Sequence, residues 1–250
     1  MHCYLNPNKS GSRAMLEAFS LGCRKEGQAC DIVTSDELLA GPAVFYGVDR
    51  VTLPVYLKVV KSGRDYYYID NGYFNSKWHG GTYYRITRNR LQHDGLTRST
   101  GGRWRELKID VQPWRSGGKV VLIAQQSPWW YEWHGTSIDE WTQRALDLAA
   151  DWPIEVRGKP TTKELPPIDW SNIKAVIAHS SNTAIDGLIQ GVPCLVDAWY
   201  AAAFSLAGDW HTRTLRYPDN REAVFSALAD NQWTVEEIAN GSAWRWLRNA

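Results

Sequence analysis

One stretch constrains this chain more than any other: KAVIAHSSNTAIDGLIQGVPCLV, from Lys174 to Val196. Ala175 to Ala178 is a short apolar run, suited to a strand buried on both faces of a parallel sheet. His179, Ser180, Ser181, Asn182 and Thr183 follow as a polar turn rich in residues that favour helix N-caps. Ile185, Leu188 and Ile189 then recur at helical spacing, Gly191 stops the helix, and Pro193 opens a second apolar run to Val196. The pattern is one βαβ unit with its polar turn at the carboxyl end of a strand. Open α/β sheets bind ligands at such places, and a helix N-terminus offers unpaired N–H groups to a phosphate. The bland reading of the same residues is a crossover with a well-capped helix.

The chain around this unit is 250 residues long and 44% hydrophobic, enough for one large or two small domains. It has no run of 18 apolar residues, and MHCYLNPNKSGS lacks a signal-peptide pattern, so the expectation is a cytoplasmic protein with no membrane partner. Cys3, Cys23, Cys30 and Cys194 show no CxxC spacing and read as reduced core residues, and no metal site is expected. The formal net charge of +1 hides an asymmetry: residues 1–116 carry +6 and residues 117–250 carry −5. A basic half suits an anionic partner. The 14 tryptophans offer flat faces for sugars and bases as well as for cores.

Strands are expected at 2–5, 30–33, 43–48 and 66–69, with helices at 12–27 and 52–61 between them. The loop at 6–12 is not a P-loop, and no GxGxxG occurs. From Lys77 to Arg115, Arg85, Arg88, Arg90, Arg98, Arg103, Arg105 and Lys108 alternate with Trp78, Tyr83, Tyr84, Trp104 and Trp114. The segment reads as a basic, aromatic-rich insertion able to contact a phosphate backbone, or as a solvated face whose aromatics pack inward. Ser116-Gly117-Gly118 reads as a hinge, and KVVLIA (119–124) starts a second alternation, with a helix at 138–150 and a strand at 153–156. Helices are also expected at 222–229, 234–238 and 242–247.

Thr183-x-x-Asp186 followed by Gly191-Val192-Pro193 resembles the nucleotide-sugar segment of GT-B glycosyltransferases. The His-Ser-Ser opening is similar to bacterial capsule and cell-surface glycosyltransferases and to small phage-encoded enzymes of that type. The resemblance implies an α/β GT-B fold, two Rossmann-like domains facing each other across a cleft. Residues 1–116 would bind the acceptor and residues 117–250 the donor, with the C-terminal helix crossing back. Small hydroxyl residues at the helix start would hold the diphosphate, and Asp186 stands where the family has a ribose-binding Glu. The family's basic turn is matched by Arg157-Gly158-Lys159-Pro160.

Polar turns at the ends of parallel strands converge, so Gln126, Ser127, Arg157, Lys159, His179, Ser180, Ser181, Asn182, Thr183 and Asp186 form the expected donor site. Its charges suit a diphosphate leaving group without a bound metal, and no Asp-x-Asp occurs. The co-substrate would be a nucleotide-sugar, UDP-linked in expectation, with no further cofactor. Inverting transfer to a hydroxyl needs a base. Asp70, after a strand and before Gly72, is the first candidate, and His79 is the reserve. The basic segment points to double-stranded DNA as acceptor, and small phage enzymes resembling this chain glycosylate hydroxymethylated pyrimidines. Two other readings stand beside it: transfer to a cell-surface or capsular glycan, and a non-catalytic module that binds nucleotide or DNA.

Overall fold

The computed structural model describes residues 1–76, 81–97, 99–159 and 166–249. Two compact units emerge: Met1–His93 with Leu228–Ala250, and Asp94–Ala227. With elements numbered in chain order, the first unit holds β1 (His2–Tyr4), β2 (Asp31–Val33), β3 (Ala43–Tyr46), β4 (Tyr66–Asn71), β5 (Tyr83–Arg88) and β10 (Gln232–Thr234). They form one sheet in the order β10-β5-β4-β3-β1-β2. β1 to β4 are mutually parallel, while β5 and β10 are added antiparallel. The helices here are α1 (Ser12–Lys25), α2 (Leu53–Lys61), α8 (Val235–Ala239) and α9 (Ser242–Leu247).

Of the expected apolar side of α1, Met15, Leu16 and Phe19 are buried, whereas Leu21 is exposed because it falls off their helical stripe. Phe19 meets Trp244 of α9 edge to face, with ring centroids 6.2 Å apart. A Cβ at Gly22 would overlap the carbonyl oxygen of Ile238, so only glycine lets α1 lie directly on the backbone of α8. The C-terminal segment is thus built into the first unit. Thr234 and Glu237 close a capping box at the start of α8, where a helix is expected. The three-residue strand before it is not anticipated, because Gln-Trp-Thr is too short to show a period.

The second unit holds a four-stranded parallel sheet of β6 (Val120–Ala124), β7 (Ile154–Arg157), β8 (Ile173–Ala178) and β9 (Cys194–Val196), ordered β7-β6-β8-β9. Its helices are α3 (Gly102–Leu107), α4 (Pro128–Trp133), α5 (Ile138–Leu148) and α6 (Thr183–Ile189), and α7 (Arg221–Ala229) begins in it. Val121, Ile123, Ala175 and Ile177 of the central strands pack with Trp141 and Ala145 of α5 and with Tyr131 of α4. The second sheet and the β1–β4 part of the first have the parallel, Rossmann-like build expected from the strand–helix alternation. Among the described residues no helix is long and apolar enough to cross a membrane.

The division of the chain differs from the expected break at 116/117. Residues 94–116 group with the second unit, and 116–118 lies inside it. The backbone explains this: Gln112 N donates to the Ile189 carbonyl at 2.8 Å and Arg115 N to the Gly191 carbonyl at 2.8 Å. Gly191, at φ +76, has no room for a Cβ beside the Pro113 carbonyl. Nor is 77–115 one insertion. Its β5 is an internal strand of the first sheet, whereas α3 belongs to the second unit.

Candidate functional site

In the second unit every strand of the sheet ends on the same edge, so the turns after β6 and β8 are neighbours. Ser180 N and Ser180 Oγ both donate to Gln126 Oε1, at 3.3 and 3.0 Å, which ties the two turns together. Gln126 N in turn donates to the Tyr131 hydroxyl at 3.0 Å. Ser181 Oγ donates to Thr183 Oγ1 at 3.1 Å and accepts from Thr183 N at 3.2 Å. Asn182 sits at the helix start without a side-chain cap bond, and Asp186 is half-buried one turn on. Ser127 precedes Pro128 at the start of α4 and is half-buried.

The expected anion site at the start of α6 is weaker than the pattern suggests. The helix has seven residues, two turns, so its summed dipole is small, and anion binding falls to side chains. Arg157 and Lys159 lie at the end of β7, an edge strand two places from β8. Arg157 Nη2 donates to the Pro166 carbonyl, and Lys159 is exposed. Among the described residues, no three His, Cys, Asp or Glu side chains are grouped to hold a metal.

His179 is the buried centre of this edge, 7% exposed. Its ring lies among those of Tyr131, His134 and Tyr200, with centroids 5.7, 5.2 and 6.2 Å away. Trp130 Nε1 donates to His179 Nδ1 at 3.2 Å. His134 Nδ1 is 2.7 Å from the Trp130 carbonyl, and its Nε2 is 2.6 Å from the Tyr200 hydroxyl. Burial, and then the neighbouring His134, lowers the pKa of His179 to about 4; burial also lowers that of His134. Both imidazoles are neutral at physiological pH. Sequence alone assigns no site role to Trp130, His134 or Tyr200. The signal was there in part, since Trp-Trp-Tyr-Glu-Trp-His puts Trp130 and His134 one helical turn apart.

The acceptor-side candidates fall in the first unit. Asp70 lies near the end of β4, as expected, but its oxygens are engaged. Oδ2 pairs with Arg85 Nη2 at 2.8 Å and accepts from the Tyr68 hydroxyl at 3.3 Å, and Oδ1 accepts from Asn71 N at 2.8 Å. Arg85 is thereby removed from the expected DNA-contact set: it is 4% exposed, donates to the Asn71 carbonyl at 2.9 Å, and lies over the Tyr73 ring. Burial works against its charge, but Asp70 and the flanking Tyr73 and Tyr68 hold its pKa above the usual value. The reason is register, since Asp70 and Arg85 are directly paired across β4 and β5.

The other described basic residues divide between the two units. Arg88 pairs with Asp65 at 2.9 Å, and Arg90 is half-buried in the turn after β5. Arg103 and Arg105 are on α3, and Lys108 caps that helix at φ +50, all in the second unit. Trp104 is buried and packs on Phe225, and the half-buried Trp114 lies 3.7 Å under the Arg221 guanidinium. His79 and Arg98 lie outside the described residues.

No protein-family model matches this chain, and no curated protein does. Solved structures do. The Thermosulfurimonas dismutans KpsC β-Kdo 2,7 transferase aligns over 100% of this chain and 99% of its own, at 10% identity and a TM-score of 0.53. The β-Kdo 2,4 transferase of the same organism's KpsC aligns over 91% of this chain and 89% of its own, at 12% identity and a TM-score of 0.50. At such identities the likeness is one of architecture: this chain shares with these transferases an α/β fold built from Rossmann-like units.

Proposed function

We propose that this protein transfers a sugar from a nucleotide-sugar to an acceptor hydroxyl, with the donor held by the second unit. The observation that carries the reading is the joined pair of turns after β6 and β8, where Gln126, His179, Ser180, Ser181 and Thr183 gather at one strand-end edge of a glycosyltransferase fold. Departure of the nucleotide leaves negative charge on phosphate oxygens, and fixed hydroxyl and imidazole N–H donors lower the barrier to that departure. Arg157 and Lys159 add full positive charges at the neighbouring strand end.

The finer reading, transfer to a hydroxymethylated pyrimidine in DNA, drew on the basic 77–115 segment. With Arg85 internal and the remaining cations divided between two units, that support weakens. The solved neighbours are named as Kdo transferases, so a glycan acceptor becomes the first choice. The test is to incubate the protein with CMP- and UDP-linked sugars, offering oligosaccharide acceptors and hydroxymethylated DNA side by side, and to weigh the products. A sugar mass on the oligosaccharide supports the glycan reading, and the same mass on the modified base restores the DNA reading. No product from any pair, with no nucleotide bound in calorimetry, overturns both. With an active pair in hand, Asp70→Asn decides the base: turnover should fall at least a hundredfold with nucleotide affinity unchanged if Asp70 takes the acceptor proton.

A further inference from the structure

The ring partners of His179 do more than bury it. The indole Nε1 of Trp130 can only donate, so the nitrogen it faces, Nδ1, carries the lone pair. The proton of the neutral ring is therefore on Nε2. The described side-chain contacts to the ring nitrogens, from Trp130 Nε1 at 3.2 Å and Ser180 Oγ at 3.3 Å, both fall on Nδ1. Trp130 is itself held. Its carbonyl accepts from His134 Nδ1, which places the lone pair of His134 on Nε2, where the Tyr200 hydroxyl donates at 2.6 Å. The series Tyr200–His134–Trp130–His179 thus orients the ring protons, and Ser180 Oγ, 3.3 Å from the same Nδ1 of His179, can donate to it as well.

We infer that Trp130, His134 and Tyr200 are positioning residues that hold His179 as an uncharged Nε2–H donor to a phosphate oxygen of the nucleotide. This rests on the donor-site reading above. A neutral donor suits a buried position better than imidazolium, whose desolvation the rings would oppose. The charged and titratable groups facing the cluster fit this. Asp197 is the carboxylate that acts on His179, and Trp141 Nε1 at 3.0 Å and Arg144 Nη2 at 3.5 Å engage it. The Tyr131 hydroxyl is occupied by Gln126 N. Burial raises both Tyr131 and Tyr200 above the usual tyrosine range, so neither is an anion near neutrality.

The experiment is ¹⁵N-histidine NMR on the intact protein, with CMP and UDP as probes, beside calorimetry. The wild type should show His179 protonated on Nε2, unchanged from pH 8 to pH 5, with that N–H signal moving when nucleotide binds. Trp130→Phe keeps most of the ring packing but removes the indole donor. It should allow a mixed tautomer, bring the His179 titration closer to neutrality, and weaken nucleotide binding about three- to tenfold. Tyr200→Phe should loosen His134 first and His179 less. A wild-type His179 protonated on Nδ1 overturns the inference, as does an unmoved Nε2–H when calorimetry shows nucleotide bound. If no nucleotide binds while the tautomer is as stated, the donor-site reading falls and the phosphate role with it. If Trp130→Phe fails to fold, Tyr200→Phe carries the same test.

Discussion

The strand ends of the two units make opposite use of polar residues. In the first unit, Asp70 and Arg85 form a closed charge pair whose partners are all internal: Tyr68, Asn71 and the ring of Tyr73. In the second, Gln126, Ser180, Ser181, Thr183 and His179 are uncharged, joined by hydrogen bonds, and half-buried except for Ser180 and His179. A charged pair in a sheet interior spends its electrostatics on its own desolvation, so it locks a shape. A neutral hydrogen-bonded set is cheap to bury and keeps donors for a ligand. Polar residues after a strand are the same signal in sequence, and only the count of internal partners separates a strut from a site.

Three changes would break or sharpen this contrast. The largest effect is expected from Arg85→Met. It strands Asp70 without its cation and should lower stability by roughly 2–4 kcal/mol, reduced somewhat because Asp70 is about a third exposed. Denaturant unfolding would show it, and nucleotide affinity should stay within about twofold because the second unit is untouched. A stable Arg85→Met protein would mean that the pair is no strut.

The next effect is in acid. The pKa of His179 is lowered on folding, from the ordinary 6.5 to about 4, so the unfolded chain binds the extra proton first as pH falls. Its contribution is therefore complete above pH 6.5 and is lost progressively down to about pH 4, amounting to as much as about 3 kcal/mol. The measurement is the difference in unfolding free energy between wild type and His179→Gln across that range. A difference that does not vary with pH there would sink the neutral-histidine picture. The smallest effect on stability, roughly 1–2 kcal/mol, is expected from Gln126→Ala, because the buried Ser180 N and Oγ lose their shared acceptor while Oγ keeps His179 Nδ1 at 3.3 Å. The same change should weaken nucleotide binding about tenfold. The comparison fails if it instead destabilises the protein as much as Arg85→Met does.

Much of the second unit could be read directly. The apolar run 175–178, the polar turn, the helical spacing of Ile185, Leu188 and Ile189 and the second run to Val196 became β8, α6 and β9 with small shifts at the ends. Ser137 and Glu140 likewise start α5 with a capping box. These features rest on periods and caps within a few residues, which local sterics and hydrogen bonds impose on the chain wherever it lies. They also brought Gln126 and the His-Ser-Ser turn to one edge, because parallel strands end on the same side.

What tertiary structure alone decided are pairings between distant residues. Asp70 meets Arg85 through a strand register, Gln232 bonds Tyr73 and Phe74 from 159 and 158 positions away, and Tyr200 reaches His134 across 66. Nothing local distinguishes Arg85 from Arg88, yet the pleat alternates their neighbourhoods so that one is buried and the other pairs at the surface. The division at 93/94 arose the same way, from backbone bonds that carry 112–115 onto the loop after α6. Local pattern sets which elements form, because the forces behind it act within a turn or a pleat. Whether a charge becomes a strut or a ligand contact depends on what folding brings beside it, and that neighbour is set by long-range packing.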